Sequence, residues 1–450
     1  METLAALFAA TADSPRGCHA GHRRYACGGA GSVAYPIETE GTKIMADAVI
    51  VAVARSPIGR AGKGSLKELR PDDLTATIVR AALAKVPQLD PSDVDDLMLG
   101  CGLPGGESGF NMARVAAVLL GFDDLPGTTV ARYCASSLQT TRMAMHAIKA
   151  GEGDVFISAG VETVSQYAKG NSDSFPGTMN PLFADACART AAAAEGGADG
   201  WHDPREAGKL PDAYAAMGQT AENVASICGI SRAEQDEFAV RSQNLAEQAI
   251  KNGFYAREIT PVELPDGTIA DHDDGPRPGV TLDAVAGLKP VFRPDGTITA
   301  ANCCPLNDGA AAIVVMSDRK ARDLGITPLA RIVATGVSAL SPEIMGLGPV
   351  EASRQAMRRV GMSMSDIDLV EINEAFAAQV IPAYRELGID IDQLNVHGGA
   401  IALGHPFGMT GARITATLLN GLVTRDKTVG LETMCVGGGQ GMAMIIERLS

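Results

Sequence analysis

Apolar positions along this chain alternate between two patterns. Short, nearly unbroken apolar runs at residues 48–54, 96–100, 128–132 and 154–160 read as strands. Between them, apolar positions recur at helical spacing near residues 74–84, 111–120 and 138–149. The 138–149 segment is apolar around most of its circumference, which predicts a helix buried between layers. A strand-like run at 311–317 closes this unit. A second unit follows, with runs at 329–337 and 369–372, helices at 350–360, from Phe376 and at 409–422, and two final strands ending near Glu447. Strand–helix alternation of this kind predicts a layered α/β architecture. The halves have parallel layouts: in each, a strand feeds a polar turn that opens a buried helix, with Cys134 at the first turn and Asn373 at the second.

Two segments stand outside this pattern. Residues 164–290 are richer in Asp, Gly, Pro and charge, carry helices at 215–228 and 231–252, and read as an inserted loop domain. Residues 1–44 lack sustained periodicity and read as a disordered extension, with an upstream start or an organellar presequence as the alternatives for its origin. The expected domains are 45–317, containing the insertion, and 318–450.

Composition narrows the function. A chain of 450 residues, 46% of them hydrophobic, can bury a large core. A net charge of −15 repels nucleic acid and anionic membrane surfaces, so a polyanionic ligand would need a local basic patch. No apolar run approaches the ~18 residues of a membrane span. Nine cysteines without regular spacing do not form a secreted disulfide framework and point to a reducing, cytoplasmic setting. Cys18, His19, His22 and Cys27 match no common zinc spacing, so no metal is expected.

The candidate chemistry starts at Val130-Ala-Arg-Tyr-Cys134-Ala-Ser-Ser137, where an extended run breaks into a buried helix. A thiol at that junction faces free helix amides and neighbouring Arg132, both of which favour a thiolate. Asn395-Val-His-Gly-Gly-Ala-Ile-Ala-Leu-Gly-His405-Pro places an imidazole between glycine turns, and Thr433-Met-Cys435-Val-Gly-Gly-Gly sets a second thiol before a glycine run. With Glu371-Ile-Asn373-Glu-Ala-Phe-Ala377, Leu306-Asn-Asp-Gly309 and Met217-Gly-Gln-Thr-Ala-Glu-Asn223, these stretches resemble the thiolase family, the acyl-CoA C-acyltransferases, in order along nearly the whole chain.

The resemblance implies the thiolase fold, two related α/β domains in five αβαβα layers, and a homodimer or homotetramer. It implies that Cys134 carries the acyl group, that His405 takes its proton, and that Cys435 moves the proton at the acetyl α-carbon. Asn373 would hold an ordered water, and the backbone N–H groups of Cys134 and Gly437 would form an oxyanion site. Coenzyme A enters as a substrate, with no tightly bound cofactor. Met217, Arg241, Arg257, Cys304 and Phe376 are the candidate coenzyme A contacts, the arginines toward phosphate oxygens.

Ala131, Ala216, Cys304 and Phe254 depart from the family pattern, Phe254 at a position where an Arg can approach the nucleotide. The departures weaken an acetoacetyl-CoA-specific acetyltransferase and lean toward a 3-ketoacyl-CoA thiolase of β-oxidation type. A decarboxylating ketoacyl synthase and a noncatalytic acyl-CoA-binding paralogue are the competing readings.

Overall fold

The computed structural model describes residues 46–173, 175–197 and 200–450; the expected extension over 1–44 lies outside them. The main elements of the first half are β1 (Ala48–Arg55), α1 (Pro71–Leu83), β2 (Asp96–Cys101), α2 (Met112–Leu119), β3 (Gly127–Val130), α3 (Ser136–Ala150) and β4 (Val155–Thr163). Helices α4 (Ala184–Ala194), α5 (Met217–Cys228) and α6 (Arg232–Lys251) follow before β5 (Asn307–Ser317) closes it. The second half contains β6 (Ala330–Ala339), α7 (Gly348–Val360), β7 (Leu369–Ile372), α8 (Ala377–Leu387), α9 (Thr410–Thr424), β8 (Val429–Val436) and β9 (Gln440–Arg448).

The halves repeat one topology. In the first, the strand order is β3-β2-β4-β5-β1, with β2 parallel to β4 and β5 antiparallel to both β4 and β1. In the second it is β7-β8-β9-β6, with β7 parallel to β8 and β9 antiparallel to both β8 and β6. The half-sheets meet through two residue pairs, Val49 with Arg331 and Ile50 with Ala330.

Alternation along the strands sorts side chains into layers, because successive residues point to opposite faces. Ile50, Ile313 and Val315 pack inward with Leu138 of α3 and with Ile414 and Leu418 of α9. Val49, Val51 and Val314 point outward onto Leu74 and Ile78 of α1 and Met112 of α2. Ile372, Leu431 and Ile445 do the same against Val350 of α7 and Val380 of α8. The result is five layers, with α3 and α9 in the middle.

The repeat corrects one expectation from the sequence. Cys134 precedes α3, and the helix in the matching place of the second half is α9, which His405 precedes. Asn373 instead immediately follows β7, the counterpart of β2. Strand β3, an extra edge strand, has no partner element in the second half, so counting elements along the chain puts the halves out of step.

Candidate active site

Two buried helices bring the site together. A Cβ on Gly411 of α9 would lie 2.3 Å from the Leu138 backbone nitrogen of α3, so only glycine permits this approach. The Ala412 N–H donates to Ser137 Oγ at 2.9 Å. The heads of α3 and α9 are thereby locked together, and with them the turns carrying Cys134 and His405.

Cys134 sits in a tight turn, Tyr133–Ala135, immediately before α3. Tyr133 has φ +42°, an unusual conformation for a side-chain-bearing residue. Ser136 fixes the turn: its hydroxyl accepts from Arg132 N–H at 2.9 Å and donates to the Tyr133 carbonyl at 2.6 Å. The thiol is 8% exposed and lines a 910 Å³ cavity together with Tyr133, Met217, Phe407 and Gly437. Burial pushes its pKa up to about 12, while the N–H groups of Gly437 and of Cys134 itself pull the other way. Those two donors are the pair expected at the oxyanion site.

Cys435 lies at the end of β8, fully buried. Burial and the neighbouring Cys134 raise its thiol well above the usual range. Cys304 is raised likewise, by burial and then by Cys303, Cys134 and Cys435. Cys304 and Cys435 pack with Met217 and Phe376 in one cluster, and the Cys304 N–H donates to the Ala375 carbonyl at 3.0 Å. All seven cysteines among the described residues are free.

His405 is 1% exposed and held at three points. Its backbone N–H donates to Asn307 Oδ1 at 3.0 Å. Its Nδ1 lies 2.6 Å from Thr410 Oγ1, whose proton is donated to the Pro406 carbonyl at 2.7 Å. A hydroxyl has one proton, so Thr410 accepts from His405, and the imidazole carries its hydrogen on Nδ1. Nε2 is left as the basic nitrogen, 3.2 Å from Asn373 Nδ2. Burial, and then the charge of Arg413, lowers the His405 pKa to about 3, so the ring is neutral near pH 7. Asn373 Oδ1 is a buried acceptor without a protein partner among the described residues, and the Asn373 N–H donates to the Thr433 carbonyl at 3.0 Å, two residues before Cys435. Cys134 and Cys435 are thus electrostatic neighbours, and His405 lies against Asn373, whose backbone is tied to the strand that carries Cys435.

Three supporting residues take no role from the sequence alone: Thr410, Glu162 and Asn307, the last inside the Leu306-Asn-Asp-Gly309 stretch. Glu162 is a fully buried carboxylate that accepts from the N–H groups of Gly102 at 2.7 Å and Gly408 at 2.8 Å and from Tyr167 Oη at 2.9 Å. It ties the end of β4 to the turn after His405. An acid closing an apolar strand is the signal that finds it, because a buried carboxylate requires donors.

The basic candidates are placed differently from expectation. Arg241 does not present a free guanidinium for phosphate: it is largely buried, and its Nη2 donates to the Ile391 carbonyl at 2.6 Å and the Leu394 carbonyl at 2.9 Å. It braces the loop leading to Asn395. Arg257 is exposed, donates to Thr424 Oγ1 at 2.8 Å and stacks 5.5 Å from the Phe254 ring centroid. It lines a separate pocket with His397 that shares no lining residue with the Cys134 cavity. Phe254 is 2% exposed, stacked on His397 at 3.7 Å, and lines the same pocket as Arg257.

Comparison with known proteins matches this arrangement. Residues 48–319 match the thiolase N-terminal domain, and residues 326–448 match the thiolase C-terminal domain. The chain is 41% identical over 416 residues to a 3-ketoacyl-CoA thiolase of Bacillus subtilis, covering 90% of this chain and 100% of that protein. It is 43% identical over 414 residues to a 3-oxoadipyl-CoA/3-oxo-5,6-dehydrosuberyl-CoA thiolase of Escherichia coli, with the same coverage. Among solved structures, the dimeric peroxisomal thiolase of Saccharomyces cerevisiae superposes with a TM-score of 0.80 at 34% identity, covering 90% of this chain and 98% of that one. A Bacillus anthracis acetyl-CoA acetyltransferase gives 0.77 at 38% identity, covering 90% and 99%. Identity at this level over both domains, on top of the shared five-layered architecture, makes this chain an acyltransferase of the thiolase family.

Proposed function

We propose that the chain cleaves a 3-oxoacyl-CoA with coenzyme A, giving acetyl-CoA and a shortened acyl-CoA, through an acyl group carried on Cys134. The observation that carries the assignment of roles is the contact of His405 Nδ1 with Thr410 Oγ1, which leaves Nε2, beside Asn373 Nδ2, as the nitrogen to take the Cys134 proton. Cys134 Sγ attacks the 3-oxo carbon as its proton passes to His405. The bond between C2 and C3 breaks, and Cys435 protonates the departing acetyl-CoA carbanion. Coenzyme A then gives its thiol proton to the Cys435 thiolate and attacks the acyl-enzyme, and His405 returns a proton to Cys134. The Gly437 and Cys134 N–H groups stabilise the oxyanion in each addition. Asn373 holds the water that polarises the acetyl thioester.

Coenzyme A is a substrate by this reading, and no tightly bound cofactor is needed. The direction is that of β-oxidation in the cytoplasm, with acetoacetyl-CoA synthesis by the reverse condensation as the alternative. No helix among the described residues is long and apolar enough to cross a membrane. A homodimer is proposed by likeness to the dimeric yeast enzyme. Strand β3, at the sheet edge, and Phe110, 95% exposed, support a contact there.

The test is steady-state thiolysis of acetoacetyl-CoA and longer 3-oxoacyl-CoAs, with intact-mass detection of the acyl-enzyme. Cys134→Ala is expected to lower turnover by at least about 10⁴-fold and to remove the covalent adduct. Turnover by that variant at the parent rate overturns the reading.

A further inference from the structure

Resting on the thiolase reading, the inference concerns the far end of the acyl chain, where the similar proteins divide. One acts by its name on 3-ketoacyl-CoA and another on 3-oxoadipyl-CoA, whose chain ends in a carboxylate. The 910 Å³ cavity at Cys134 has room for far more than an acetyl group. Its walls include Leu103, Phe175, Pro176, Met179, Met217 and Phe407. Phe175 and Met179 line it while 62% and 59% exposed, large apolar side chains that are not folded into the core. Among the described residues, no Lys, Arg or His lines this cavity, and the single charged side chain is Asp173. Asp173 accepts from Ser172 Oγ at 3.1 Å and has no ion-pair partner among the described residues.

We infer that the enzyme selects 3-oxoacyl-CoAs whose chain ends in an apolar group and rejects those ending in a carboxylate, with Asp173 as a specificity-determining residue. A terminal carboxylate among these walls would give up part of its water, find no cation to pair with and meet a like charge at the exposed Asp173. An alkyl end of the same length packs on Leu103, Phe175, Met179 and Phe407 and leaves the wall's polar groups, such as Ser172 and Thr178, to water. The two candidate arginines do not help, since Arg241 is held by backbone carbonyls and Arg257 lines another pocket.

The experiment compares kcat/KM for thiolysis of 3-oxohexanoyl-CoA and 3-oxoadipyl-CoA, equal in chain length and differing at the end group, with acetoacetyl-CoA as the reference for catalysis. The expected ratio favours 3-oxohexanoyl-CoA by about 100-fold or more. Asp173→Lys, which places a cation at the opening, is expected to narrow that ratio at least about tenfold. A ratio near one, a preference for 3-oxoadipyl-CoA, or turnover of acetoacetyl-CoA alone overturns the inference and leaves the thiolase reading standing. An unchanged ratio in Asp173→Lys removes Asp173 from it. Loss of activity on all three substrates in the parent enzyme overturns the thiolase reading and the inference together.

Discussion

The two halves place a reactive residue at the same point of the same topology and then treat it in opposite ways. Cys134 precedes α3 and follows Tyr133 at φ +42°; His405 precedes α9 and follows Gly404 at φ +116°. Each turn needs a residue of positive φ to throw the next side chain toward the interface of the two central helices. The thiol faces the cavity and is held lightly, by N–H groups and a strained neighbour. The imidazole is 1% exposed and fixed through its backbone, through Nδ1 and beside Asn373. The difference separates two demands on one scaffold. A nucleophile has to reach substrate, whereas a base has to keep one tautomer in one orientation.

Gly404 is where that comparison breaks most readily. A Cβ there would lie 2.5 Å from the Asn307 side chain, and φ +116° is outside the region that a side-chain-bearing residue tolerates. Asn307 has no freedom to yield, because its Oδ1 accepts from the His405 N–H and its Nδ2 donates to the Gly59 carbonyl at 2.9 Å. Gly404→Ala is expected to destabilise the fold by about 2–4 kcal/mol and to lower thiolysis with it. Thermal unfolding alongside kcat checks this; a variant with the parent midpoint and parent rate would show that the turn before His405 is not the rigid one.

Thr410 tests the tautomer argument alone. Thr410→Val keeps the shape of the side chain and removes the acceptor for His405 Nδ1–H, so the ring is free to carry its proton on either nitrogen. Expected is a fall in kcat on the order of 10–100-fold with KM nearly unchanged, slower alkylation of Cys134 by iodoacetamide, and recovery of both in Thr410→Ser. Equal impairment in the Ser variant would mean that the packing of Thr410 matters and its hydroxyl does not.

What the sequence made legible follows from local physics. Strands with apolar residues on both faces, such as β4 and β5, declare themselves by composition; Cys435 and His405 stand beside glycines, and Cys134 stands where an extended run breaks into a helix. Three things were not legible. The register of the repeat was obscured by β3, an edge strand that only the first half has. The placement of Arg241 was hidden because an arginine bracing backbone carbonyls looks, in sequence, the same as one awaiting a phosphate. Thr410 and Glu162 were hidden because their partners lie on other elements, and nothing in a linear reading says that a hydroxyl five residues after His405 turns back to meet its ring.

The smallest effect is expected at Tyr133, the counterpart of Gly404, and it sharpens the comparison by its size. A side-chain-bearing residue in the left-handed region costs about 1–2 kcal/mol, which Tyr133→Gly would relieve. Against this, glycine adds about 0.5–1 kcal/mol of backbone entropy lost on folding, and the variant gives up a ring that is 41% exposed and so only partly buried. These terms offset, and the unfolding free energy is expected to move by less than about 1 kcal/mol. The ring also covers Gly437, where a Cβ would lie 3.2 Å from it, so its removal loosens the wall behind an oxyanion donor. A loss of less than about tenfold in kcat is expected from that, as no hydrogen-bond donor is removed. Near-parent stability here beside a large loss in Gly404→Ala would show that the first turn requires only its backbone angle, while the second requires that angle and the absence of a side chain. A drop of about 3 kcal/mol in Tyr133→Gly would reverse this, making the aromatic ring, and not the positive φ, the element that holds Cys134 in place.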